Sequence, residues 1–140
     1  MAKGDRMRSW LRATAADVLD RCTSCGKCFE TCPMTPYGAS LPGADSTQVV
    51  GGILDLLRGK AGNTEALDWV NVCSHSGRCA AVCPEGIDAM VMVRVAHMAA
   101  CGSIDAPAQI HGREDTQFFR RINAFARLQM TDAEIAAWHD

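Results

Sequence analysis

Seven of the eight cysteines in the 140-residue chain fall in two short windows, residues 22–32 and 73–83. This crowding constrains the fold more than any other feature. Thiols two residues apart converge on one point, which suits a metal site better than a disulfide framework. The first window reads Cys22-x2-Cys25-x2-Cys28-x3-Cys32-Pro33, and the second Cys73-x5-Cys79-x3-Cys83-Pro84.

The first window has the complete spacing for cubane iron-sulfur ligation. Three of its thiolates can wrap three corners of one cluster, and the fourth, set off by three residues and followed by proline, points to a neighbouring cluster. Structural zinc prefers four ligands in two separated pairs, so a zinc knuckle fits this window poorly. The windows also form a local repeat: Thr23-Ser24-Cys25-Gly26-Lys27-Cys28 aligns with Ser74-His75-Ser76-Gly77-Arg78-Cys79, and Ser76 occupies the slot of Cys25. With crossed ligation, Cys22, Cys25, Cys28 and Cys83 hold a 4Fe-4S cluster, leaving Cys32, Cys73 and Cys79 for the other. Three thiolates satisfy three irons, so a 3Fe-4S centre is the simplest expectation there. The alternatives are a second 4Fe-4S cluster with Ser76 or His75 as fourth ligand, or a degenerate window that binds nothing. Serine is a harder, higher-pKa ligand than cysteine, which favours the three-iron form.

The rest of the chain predicts an all-α fold. Helices are expected from Ser9 to Arg21, from Ser46 to near Gly59, from Thr64 to Asn71, from Asp88 to Ala100 and from Thr116 to Met130, with a capping box Thr131-Asp-Ala-Glu134 opening a last one. The proline- and glycine-rich stretch from Thr35 to Gly43 reads as a loop. Residues 1–104 form the cluster-bearing domain, and residues 105–140 a helical extension that either closes the core or docks on a partner. In that extension Phe118, Phe119, Ile122, Phe125, Ala126 and Met130 share one stripe, and Arg120, Arg121 and Arg127 lie off it. Trp10, Trp69 and Trp138 read as packing residues. Cys101 reads as a buried, inert thiol and His97 as a satisfied histidine at the core edge. His75 abuts the Ser76 slot and is placed to donate a hydrogen bond to a cluster sulfur.

A net charge of -2 gives no reason to expect nucleic acid as partner. The charged amino terminus lacks the apolar stretch of a signal peptide, and the run from Ala89 to Val93 ends at Arg94, too short for a membrane span. A cytoplasmic location is therefore expected. No phosphate-binding loop, dinucleotide fingerprint or nucleophile-base pair is present, so no catalytic residue is assigned.

The cysteine windows, together with Trp69-x3-Cys73 and Cys83-Pro84-x-Gly86-Ile87-Asp88, resemble the α-helical ferredoxin module of the small iron-sulfur subunit of heterodisulfide reductase over residues 9 to 100. The resemblance implies a two-cluster helical bundle that carries electrons between a flavin-containing subunit and a cysteine-rich partner subunit acting on disulfides. The chain departs from that family at Ser76. There it is similar to the iron-sulfur subunits of succinate dehydrogenase and fumarate reductase, whose second window holds a 3Fe-4S centre. The expected role is a non-catalytic electron-transfer subunit of an oxidoreductase complex. A quinone-linked dehydrogenase subunit, an iron-sulfur sensor or structural module, and a stand-alone ferredoxin are the alternatives.

Overall fold

A computed structural model of the protein describes residues 2–111 and 118–139. It is helical, and no strand occurs among the described residues. The chain divides into two compact units, Met1–Ile110 and His111–Asp140.

The first unit holds six α-helices: α1 (Lys3–Arg21), α2 (Lys27–Glu30), α3 (Ser46–Leu57), α4 (Thr64–Val72), α5 (Arg78–Val82) and α6 (Ala89–Ala100). Three of them start where a short polar side chain satisfies the orphan amides of the first turn. Asp45 accepts from Thr47 N and Gln48 N, each at 3.0 Å. Asn63 accepts from Ala66 N at 2.8 Å and donates to Gln48 O at 2.9 Å, so the cap of α4 also ties it to α3. Asp88 accepts from Val91 N at 3.1 Å.

Packing follows the apolar stripes. Val49, Val50, Ile53 and Leu56 of α3 face Met92, Val93, Val95 and Ala96 of α6 in one core, which also takes Trp69 of α4 and Leu11, Ala15 and Val18 of α1. Small residues on α6 permit close approach, and the expectation that this helix is mostly buried holds. The glycine pair inside α3 has a packing reason. A Cβ on Gly52 would collide with the side chains of Asn63 and Ala66, where α4 begins.

Helix α1 starts at Lys3, six residues before the expected cap at Ser9. Its first turns hold Lys, Arg and Met, which propagate helix without tertiary help, so the Ser9 hydroxyl does not interrupt it. These turns run beyond the bundle, and Trp10 is 50% exposed rather than packed.

The second unit contains α7 (Phe118–Ala126) and α8 (Asp132–His139). Thr116 and Gln117, expected to open α7, lie outside the described residues, as do the side chains of Phe118, Phe119, Arg120 and Arg121. On the rest of the stripe Ala126 is buried, whereas Phe125 is 65% exposed. The capping box forms as expected: Thr131 N donates to Glu134 Oε2 at 2.7 Å, and Glu134 N donates to Thr131 Oγ1 at 3.3 Å. Trp138 on α8 is 59% exposed, again unlike the packing residue expected. Among the described residues no helix is long and apolar enough to cross a membrane.

Candidate metal centres

Each cysteine window is a helix end followed by one backbone path. Cys22 caps α1, its N–H bonded to Val18 O at 2.8 Å, and Cys73 occupies the same place after α4. The chain then turns through Ser24 (φ 58°) and Gly26 (φ 79°) in the first window, and through His75 (φ 58°) and Gly77 (φ 76°) in the second. Each of these glycines opens a short helix, α2 or α5, that carries the next cysteine, Cys28 or Cys79. The two windows therefore share a backbone mould although Cys25 in one corresponds to Ser76 in the other.

Helices α2 and α5 pack against each other, which sets the windows side by side. Gly26 lies against the start of α3, where a Cβ would collide with Ser46 Oγ. That hydroxyl donates to Glu30 Oε1 at 2.9 Å, holding α2 on α3. Arg21 donates to Glu85 O at 3.0 Å and pairs with Asp17 at 2.8 Å, fixing the end of α1 beside the turn that follows Cys83.

Two cavities result. Cys22, Cys25, Cys28 and Cys83 line the first, over an apolar floor that includes Val50, Ile87 and Met92. Cys32, Cys73 and Cys79 line the second, together with Ser76, His75 and Trp69. Each cavity thus draws cysteines from both windows. Among the described residues no three histidine, cysteine or carboxylate side chains come close enough together to hold a single ion.

All eight cysteines are free thiols. Burial pushes the Cys28 thiol up to about 12; the neighbouring Cys79, Cys22 and Cys25 add to this, and a backbone hydrogen bond at Phe29 opposes it. The Cys79 thiol is raised too, by burial first and by Cys73 next. Thiols held protonated in an apolar pocket become thiolates only when a cation compensates the charge, so metal uptake here releases protons. Soft sulfur donors over apolar floors fit iron-sulfur clusters.

One neighbouring residue carries a role that the sequence reading missed. Trp69, expected only to pack, is 1% exposed and sits edge-on to Phe29 with ring centroids 5.2 Å apart. Its indole Nε1–H donates to Cys32 Sγ at 3.3 Å. The sequence signal was its place four residues before Cys73, one helical turn from the window.

His75 turns its Nε2 to Arg94. That atom lies 2.7 Å from Arg94 Nη1, and because a guanidinium can only donate, Nε2 accepts. Cys101 lines neither cavity and is exposed at the end of α6, not buried as expected. The C-cap position turns its side chain out of the helix's apolar stripe. His97 is half-buried, with Nε2 3.9 Å from Cys101 Sγ. Arg127 is exposed, 3.9 Å from Asp132.

No curated protein and no solved structure matches the chain significantly. The family described as the 4Fe-4S dicluster domain matches residues 18–87, half of the 140-residue chain and the part that contains all seven window cysteines. The chain is a member of the 4Fe-4S dicluster domain family, an iron-sulfur, ferredoxin-like electron-transfer protein.

Proposed function

We propose that this chain is the iron-sulfur relay of a heterodisulfide reductase-like oxidoreductase, passing electrons between a flavin-containing subunit and a cysteine-rich, thiol/disulfide-active subunit. The supporting observation is the pair of adjacent cavities, each ringed by cysteines from both windows. Cys22, Cys25, Cys28 and Cys83 hold a 4Fe-4S cluster, and Cys32, Cys73 and Cys79 hold a 3Fe-4S cluster, with Ser76 in the slot where a fourth thiolate would bind another iron. The clusters supply one-electron storage and transfer. The protein sets what each can do. Val50, Ile87 and Met92 keep water from the first site, and Trp69 N–H donation to Cys32 stabilises the more negative, reduced state of the second. The substrate chemistry belongs to the partners.

Anaerobically purified protein, assayed for iron and sulfide and followed by electron paramagnetic resonance, tests this reading. An isotropic signal from the oxidised protein, plus one cubane signal after reduction, is the expected result. Two cubane signals and no oxidised signal would refute the 3Fe-4S assignment, and zinc or no metal would refute the whole reading. A stable complex with a flavoprotein and a cysteine-rich protein is expected on affinity purification; isolation as a free monomer from cells that contain both would refute the subunit role.

A further inference from the structure

A third cavity, of about 150 Å3, adjoins the second cysteine cavity and shares Cys73, His75 and Val93 with it. Val70 and Val93, both buried, form its apolar wall. Its polar lining is Asn71, His75, Arg94 and His97, and no carboxylate lines it.

One of them, Arg94, carries a positive charge that no carboxylate of the lining balances. Among the described residues Arg94 has one hydrogen-bond partner, His75 Nε2, which uses one of its five N–H donors and neutralises none of its charge. His97 has its pKa lowered, by burial first, then by Arg94 and by His75. An exposed arginine beside two histidines, an amide and an apolar wall has the makings of a receptor for an oxyanion. A guanidinium edge presents parallel N–H groups to two oxygens, the Asn71 amide and a histidine N–H can supply further donors, and the valines accept a carbon skeleton.

We propose that this cavity binds a small organic anion through its phosphate or carboxylate group, with Arg94 as the principal anchor, and that the bound anion is sensed by the second cluster. The sensing clause rests on the proposed function; the binding clause does not. A negative charge placed beside Cys73 and His75 opposes the addition of an electron to a cluster held by Cys73, so occupancy lowers that cluster's potential. The site can therefore slow or release electron flow through the second centre according to the supply of its ligand.

Equilibrium dialysis of the holoprotein against labelled inorganic phosphate, and separately against labelled propionate, tests the binding clause. Saturable uptake of one equivalent of either anion is expected. The weaker or non-binding partner of the pair then tells which oxyanion the natural ligand carries. Arg94→Gln should raise the dissociation constant at least about tenfold, the loss expected for a charge-assisted hydrogen bond, with Arg94→Lys in between. No saturable uptake of either anion, or equal uptake by Arg94→Gln with its visible absorption unchanged, overturns the proposal. Paramagnetic resonance of the same samples tests the sensing clause, where the second cluster's signal should shift on saturation while the first stays fixed. Unchanged spectra at saturating anion overturn sensing alone. Protein that binds anion but contains no iron would sink the proposed function and leave the binding site standing.

Discussion

The Trp69 indole offers a measurement in which one hydrogen atom should move one potential. Trp69→Phe removes the Nε1–H that donates to Cys32 Sγ at 3.3 Å and keeps an aromatic ring to meet Phe29. A hydrogen bond to a charged group is worth roughly 1.5–3 kcal/mol. The bond strengthens when the cluster gains an electron, because sulfur becomes more negative. If about 1 kcal/mol of it depends on redox state, the one-electron scale of about 59 mV per tenfold in equilibrium constant gives a shift of about 40 mV. The potential of the centre at Cys32, Cys73 and Cys79 should thus fall by about 20–60 mV, and that of the centre at Cys22, Cys25, Cys28 and Cys83 should not move. Loss of ring volume from a site 1% exposed should cost a further amount of about 1–2 kcal/mol of stability, small enough for the protein to fold. A redox titration monitored by paramagnetic resonance reads both centres in one sample. An unchanged second potential, or equal shifts of both, would refute the argument that this N–H tunes one site.

Ser76→Cys supplies the missing thiol, and should replace the oxidised isotropic signal with a second cubane signal in the reduced protein, read by the same spectroscopy. Gly26→Ala and Gly77→Ala both place a Cβ on left-handed backbone, at a cost of about 1–2 kcal/mol each. Only Gly26 also meets Ser46, whereas the nearest atom at Gly77 is Met90 Sδ at 4.0 Å, so Gly26→Ala should lose more bound iron and more thermal stability. His97 has a depressed pKa in the folded protein, so the unfolded chain binds the proton more readily. Its effect on stability is nil well above pH 6.5 and grows unfavourable as pH falls below it. His97→Gln should therefore flatten the acid side of the melting-temperature profile, and an unchanged profile would count against the assigned cause. Removal of residues 111–140, the second compact unit, should leave the visible cluster absorption intact and weaken partner binding; bleaching would show that the clusters depend on the tail.

The parts that were legible in the sequence are those fixed by local chemistry. Cysteine spacing is a local quantity, so both windows could be read and their crossed partition expected. Helices α3 and α6 were readable from runs of apolar residues that stop at glycine; the caps at Asp45 and Asn63 came only with the structure. Helices α2 and α5 carry no such signal, since four or five residues are too few to show a period. Helix α1 hid its start because its first turns are stabilised by propensity and bury nothing. The Trp69–Cys32 and Arg94–His75 contacts join residues 37 and 19 positions apart, and neither partner's composition announces the other. Cys101 follows an apolar helix, but it sits at the cap position, where the helix's apolar character no longer implies burial.

The retained mould in the second window bears on whether a centre exists there. Left-handed backbone at a non-glycine residue costs on the order of 1 kcal/mol and persists where the surroundings impose it. His75 keeps the φ of 58° found at Ser24, and Gly77 follows Gly26 within a few degrees, although position 76 lacks the thiol. Three cysteines, Cys32, Cys73 and Cys79, line the cavity that this path borders. The path also swings the His75 ring to Arg94, so the same turn that shapes the cysteine cavity builds one wall of the cavity beside it. Backbone shape and ligand count are therefore separable here. A sulfur at position 76 would meet a loop already bent as the loop around Cys25 is.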